Sequence, residues 1–211
     1  MYLSEKRLVL DCARQMKQNR LVSLTGGNVS WRLEDGNVLV TPSGMDYDRI
    51  EPEDIVAVDA RGRVLDGRRK PSSDLSALLY IYEHMPSVNA IIHTHQPYAT
   101  ALGLVMDEIP AALITVIDAC HAAVKVAPYT RSSDINMGIL TVQYAGDALA
   151  VVLKNHGVMA YGADLSEALC SAVYLEEAAK TFSIAMSLGK LPLLSDDDIA
   201  AEAEGWKSYG Q

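Results

Sequence analysis

The chain has 211 residues, 49% of them hydrophobic and 21% charged, with 27 acidic against 18 basic side chains and a net charge of −9. This is the composition of a folded globular chain. The acidic balance lacks the basic footprint that general nucleic-acid binding needs, and no apolar run approaches the roughly 20 residues that span a bilayer. The N-terminus lacks the charged-then-apolar layout of a secretory signal. Cys12, Cys120 and Cys170 show no C-x-x-C spacing, so reduced thiols in the cytosol are the expectation, with no membrane partner.

Leu8, Cys12 and Met16 recur at helical spacing within Ser4 to Arg20, which predicts an amphipathic first helix. Val29 to Leu33 and Val38 to Thr41 read as strands around the turn Asp35-Gly36-Asn37. Ile55 to Val58 is a further strand before the turn Arg61-Gly62. Leu75 to His84 is a helix halted by Pro86, and Asn89 to Ile92 leads as a strand into His93-Thr94-His95. Pro97 opens another helix, at a position where proline is tolerated. Ala123 to Val126 reads as a short strand and Ile135 to Tyr144 as a helix. Leu149 to Leu153 is a continuous apolar run of the length of a buried strand. Asp164 caps a long helix running to Leu188 and stopped by Gly189, and a last short helix begins near Ser195. With no linker rich in Pro, Gly or Ser, the expectation is one α+β or α/β layered domain over residues 1–211.

The chemistry-bearing residues cluster at the ends of these elements. In a strand, residues i and i+2 share a face, so the imidazoles of His93 and His95 can reach one metal ion. His156 follows the apolar strand ending at Leu153. Three histidines at strand ends can bind one ion and leave a position open for substrate, the pattern of a catalytic site. Gly157 next to them allows close backbone approach. Pro71-Ser72-Ser73-Asp74 precedes a helix, and its hydroxyls and amides read either as an ordinary serine cap or as an anion site beside a carboxylate base. The turns Thr25-Gly26-Gly27-Asn28 and Thr41-Pro42-Ser43-Gly44 offer further amides and hydroxyls for a phosphate. Neither is a P-loop and no G-x-G-x-x-G occurs, so nucleotide binding has no support. His121 reads as a core histidine or as an acid/base group near the metal. His84, in a last helical turn, favours the helix dipole. Tyr209 lies in the terminal tail.

Taken in order, T-G-G-N-V-S, T-P-S-G, K-P-S-S-D, H-T-H and N-H-G resemble the class II aldolase/adducin family over nearly the whole chain, from the first helix to the terminal Tyr209-Gly210-Gln211. The resemblance implies a three-layer α/β/α fold with a central, mainly antiparallel sheet. It also implies a C4 homotetramer with active sites at subunit interfaces and one zinc ion per subunit. It makes His93, His95 and His156 the zinc ligands, and Gly27, Asn28, Ser43, Gly44, Ser72 and Ser73 the phosphate cradle. Asp74 takes the place of the acid/base carboxylate, and Tyr209 that of the tyrosine closing over the site. The implied reaction is metal-dependent cleavage of a ketose 1-phosphate, of the L-fuculose-1-phosphate kind, to dihydroxyacetone phosphate and an aldehyde through an enediolate. The alternatives are a pentulose-5-phosphate 4-epimerase working by retro-aldol cleavage and re-addition, and a non-catalytic adducin-like binding domain.

Departures from the family pattern bear on this choice. Asp74 stands where aldolases of the fuculose kind carry Glu and the epimerases Asp, and the first ninety residues, including G-M-D-Y and K-P-S-S-D, lean towards the epimerase, whereas Thr41 replaces the epimerase lysine. His121 stands near the epimerase aspartate, no histidine lies between Asp196 and Tyr209, and Ile114 falls near the aldolase tyrosine. Length and N-H-G favour the aldolase. The binding-domain branch loses its metal histidines, and this chain keeps all three.

Overall fold

A computed structural model of the chain describes residues 1–189 and 193–206. The amphipathic N-terminal stretch forms α1 (Leu3–Gln18), which buries Val9, Leu10, Cys12, Ala13 and Met16. An antiparallel run of strands follows: β1 (Asn28–Arg32), β2 (Val38–Val40), β3 (Val56–Val58) and β4 (Val64–Asp66). Next come α2 (Leu75–His84), β5 (Ala90–Thr94) and α3 (Pro97–Val105), the last starting at the expected proline. The chain continues through β6 (Glu108–Ile109), α4 (Ile114–Cys120), β7 (Val124–Ala127) and α5 (Asn136–Tyr144). It then forms β8 (Ala150–Leu153), β9 (Gly157–Gly162), α6 (Leu165–Leu188) and α7 (Asp196–Trp206). Asp164 caps α6 as its sequence position requires, Oδ1 accepting from the Glu167 amide at 2.9 Å.

The strands form one sheet in the order β4-β3-β2-β1-β5-β9-β8-β7-β6. Every pairing is antiparallel except β7 with β8. Alternate side chains leave the sheet on opposite faces. On one face Val29, Ile92, Val152, Val158 and Ala160 pack with α1, α3, α4 and α6. On the other, Ile91, Val151, Met159 and Tyr161 pack with α2 and α5. The sheet between two helical layers is the expected α/β/α arrangement.

Four elements lack a counterpart among those expected from the sequence: β4, β6, α4 and β9. They change the site's setting, because β9 pairs with β5 and makes the strand that carries His93 central to the sheet.

Candidate metal centre and anion pocket

His93 lies on β5 on the α2/α5 face, two residues from Ile91, and is 1% exposed. His95 follows the strand, fixed by its amide donating to the Leu21 carbonyl at 3.1 Å. His156 occupies the three-residue loop of the β8–β9 hairpin, where Leu153 pairs with Gly157. Asn155 takes φ 63° in this loop. Asn tolerates that left-handed conformation better than most side chains, and it turns the loop so that His156 faces β5. A Cβ on Gly157 would run into the Thr94 carbonyl oxygen, and one on Gly27 into the His93 carbonyl oxygen. Glycine at these two positions is what lets the hairpin and the T-G-G-N turn close on the histidine strand.

The three rings converge. His93 Nε2 is 3.2 Å from His95 Nε2 and 3.3 Å from His156 Nε2. Ligand atoms about 2.0–2.1 Å from a tetrahedral ion lie roughly 3.3–3.4 Å apart, which the two His93 pairs match, and all three ligand atoms lie within 4.8 Å of one another, a grouping that could hold one ion. His93 Nδ1 donates to the Val158 carbonyl at 3.0 Å, which directs the Nε2 lone pair inward as a metal ligand requires. Burial, followed by the neighbouring His156 and His95 rings, pushes His93 down to about 3. Burial also lowers His95 and His156, opposed in both by the nearby Asp74 carboxylate. All three are thus held as neutral imidazoles, the form that binds a metal.

Above the histidines opens a pocket of about 240 Å³. Its walls are residues 25–27, 42–44 and 72–74, with Ser132, Ser133, His95 and His156. No lysine or arginine is among these lining residues. Helix α2 begins at Leu75, directly after the lining residue Asp74, so its N-terminal amides and the serine hydroxyls are the neutral donors available to an anion. Gly27, Ser43, Gly44, Ser72, Ser73 and Asp74, all expected from the sequence, therefore come together here. Asn28 sits differently: it is 2% exposed, and its Nδ2 donates to Asp74 Oδ2 at 2.8 Å.

The structure does not bring His121 to this centre. His121 is exposed and ends α4 with φ 67°. It lines a separate depression of about 270 Å³ with Asp118, Glu167 and Cys170. The reason is local: a histidine in left-handed backbone at a helix C-terminus turns the chain away from the core it was expected to join. Tyr209 lies outside the described residues. Cys12 and Cys120 are free and buried, their thiols pushed up to about 12 by burial.

Three contributors were missed in the sequence. Ser132 and Ser133 reach the pocket only because α5 packs beside α2 on one face of the sheet. Tyr47 is 2% exposed, and its hydroxyl lies within donating distance of the Gly26 and Gly27 carbonyls, at 3.1 and 2.8 Å. It fixes the glycine turn from behind, a role that its place in G-M-D-Y, three residues beyond T-P-S-G, does not reveal.

Residues 7–183 match the family model described as Class II Aldolase and Adducin N-terminal domain. The chain belongs to this family. The 5-deoxy-D-ribulose 1-phosphate aldolase of Bacillus thuringiensis serovar kurstaki is 32% identical over 208 residues, covering 98% of this chain and 97% of that protein. The L-fuculose phosphate aldolase of Escherichia coli K12 is 30% identical over 205 residues, covering 97% and 94%. A solved structure of L-fuculose 1-phosphate aldolase superposes with a TM-score of 0.90 at 30% identity, covering 96% of this chain and 95% of that one. This class II aldolase-family chain is an enzyme, and its three-histidine group matches the metal dependence of class II aldolases. No helix among the described residues is long and apolar enough to cross a membrane.

Proposed function

We propose that the protein is a zinc-dependent aldolase that cleaves a ketose 1-phosphate to dihydroxyacetone phosphate and an aldehyde. The observation that carries this reading is a three-histidine group, two of whose rings, His95 and His156, line one pocket together with Asp74 and the hydroxyls and amides of three turns. The aldolase names of relatives that align end to end support a phosphorylated ketose as substrate. A divalent ion held by His93, His95 and His156 would supply the positive charge that polarises the ketose carbonyl and stabilises the enediolate; imidazole donors suit zinc.

The chain's own residues do the rest. Gly27, Ser43, Gly44, Ser72 and Ser73 bind and orient the phosphate, placing the ketose carbonyl toward the histidines. In cleavage, a base takes the proton from the hydroxyl on the carbon that leaves as aldehyde. The C–C bond breaks, and its electron pair moves to the carbon beside the carbonyl. Asp74, on the pocket wall, carries a proton back to that carbon. Among the described residues the pocket lining offers no lysine for a Schiff base.

Asp74, with its short side chain, favours one second reading, a pentulose-5-phosphate 4-epimerase in which the aldehyde rotates and the same bond re-forms. A non-catalytic binding role fits neither the intact histidine set nor the aldolase relatives. A single experiment separates the enzymes: purified protein is offered ketose 1- and 5-phosphates while triose phosphate release, C4 inversion and bound metal are measured together. Triose phosphate from a 1-phosphate, with about one zinc per chain, is the expected result. C4 inversion without triose phosphate would overturn the aldolase.

We further propose a single domain assembled as a C4 homotetramer in the cytosol, with sites at subunit interfaces. Exposed apolar side chains near the pocket, Tyr129 and Ile135 beside Ser132 and Ser133, support burial against a neighbouring subunit. A solution mass four times that of the chain is expected. The resemblance gives Tyr209 the closing role, and Tyr209→Phe tests it.

A further inference from the structure

Asp74 occupies the N-cap of α2, where a carboxylate ordinarily accepts from the amides of the first turn, yet its side chain makes no capping bond. The Ala77 amide of the first turn donates instead to the Asp74 main-chain carbonyl at 2.9 Å, and Ser72 Oγ accepts from the Asp74 amide at 3.3 Å. The freed carboxylate reaches across to β1, and Oδ2 accepts from Asn28 Nδ2 at 2.8 Å. Both partners are buried, and Asn28 pairs with His93 across β1 and β5. The strand that aligns the metal ligand therefore also aligns the amide that holds the carboxylate. Asn28 Oδ1 has no hydrogen-bond partner among the described residues. A buried amide that leaves its acceptor unsatisfied has its orientation set by its donor end.

We infer that Asn28 is a positioning residue: its amide N–H holds Oδ2 of Asp74 and leaves Oδ1 aimed at the reacting carbon. The inference rests on Asp74 as proton carrier, and it gives Asn28 a different task from the phosphate contact that the family resemblance implies. A carboxylate without this tether turns about its χ angles, and a displacement of about 1 Å at a reacting centre costs on the order of 10²-fold in rate.

The test uses Asn28→Ala, which removes the donor, and Asn28→Asp, which keeps the shape and replaces the donor with an acceptor. Both are expected to lower kcat for ketose-phosphate cleavage by about 10–100-fold, with KM changed by less than about threefold and bound metal per chain unchanged. The crystal structure of Asn28→Ala is expected to show the Asp74 carboxylate moved from its wild-type position. In an Asp74→Asn background, Asn28→Ala should add less than about a twofold loss, since one residue acts through the other. A raised KM with unchanged kcat, a fully multiplicative double mutant, or an unmoved Asp74 carboxylate overturns the inference. If Asp74→Asn alone keeps full turnover, the proton-carrier reading fails by itself, and the position of the carboxylate in Asn28→Ala still decides whether Asn28 orients it. Should one variant not fold, the kcat–KM split of the other decides the matter.

Discussion

The tripeptide Ser-Ser-Asp occurs twice, at 72–74 and 132–134, each time ahead of a helix on the same face of the sheet; all of the first copy and the two serines of the second line the same pocket. The second copy follows local rules. Asp134 Oδ1 accepts from the Asn136 amide at 2.8 Å and from Asn136 Nδ2 at 2.9 Å, an Asx turn that starts α5. In the first copy the duties are exchanged: Ser72 serves the local amide, and the Asp74 carboxylate goes to Asn28, 46 residues away in sequence. Exposure follows the same division, since Ser72 and Asp74 are buried whereas Ser132 and Ser133 are exposed. The same three residues thus make a structural turn in one place and a candidate proton carrier in the other. What separates them is where the carboxylate finds its donor: a local amide for Asp134, and the buried Asn28 amide of β1 for Asp74.

The largest expected effect bears on both turns equally. His156→Ala should remove bound metal and reduce turnover to background while melting close to metal-free wild type, because the ring sits half-buried in a hairpin loop. Elemental analysis and a melting curve check this together. Turnover surviving without metal would mean that the two turns carry chemistry the histidines do not share. His93→Ala is expected to lose stability as well, since that side chain is buried in a central strand.

Next in size is the contrast between the two aspartates. Asp74→Asn should lower kcat by about 10²-fold or more, the usual scale for a general acid/base, with metal retained. Asp134→Asn should stay within about twofold of wild type, because its carboxylate is committed to the Asx turn. Equal losses in steady-state kinetics would erase the distinction between the copies.

The serines come third. Ser73→Ala is expected to raise KM for a phosphorylated ketose by about tenfold, the size of one hydrogen bond to a charged group. KM for the unphosphorylated parent should be unchanged. Ser133→Ala should raise KM about threefold or less, as a second contributor from the α5 side. An equal effect on both substrates removes the phosphate assignment from either turn.

Legibility in the sequence followed the range of the interactions. The H-x-H pair and N-H-G after an apolar run could be read because strand geometry and a short hairpin loop fix them locally. Helices with a clear apolar period, α1, α2 and α6, were legible, as was Asp164 at its cap. Helix α4 was not, because Ile114-Thr115-Val116-Ile117 is rich in β-branched residues, and burial of Val116 and Ile117 against the sheet and α6 overrides that propensity. β4 is a three-residue edge strand with two exposed side chains, too short for an alternating pattern. β9 is buried along its whole length and bounded by glycines, so it lacks alternation altogether. The Asn28–Asp74 bond needs both the β1–β5 pairing and the start of α2, and no spacing rule connects them. For Ser132 and Ser133 a signal did exist, the repeat of Ser-Ser-Asp itself, but only packing of α5 beside α2 gives it meaning.

The smallest expected effect tests whether the second copy is as local as its hydrogen bonds indicate. Asp134→Ala removes the acceptor that opens α5 and should cost about 1 kcal/mol of stability, the usual size of a lost cap. Asp134→Asn keeps an oxygen in the same place and should cost only a few tenths of that. For a chain of this size about 1 kcal/mol moves Tm by about 2–4 °C, so melting curves at one fixed protein and metal concentration resolve the two variants. KM and kcat should stay at wild-type values in both, because the α5 N-terminus keeps its amides and Ser133 its hydroxyl. An Asp134→Ala protein with unchanged Tm and slowed turnover would place Asp134 among the groups that act on substrate. The two turns would then be functional equivalents, and the difference between them would have to lie in what each one holds.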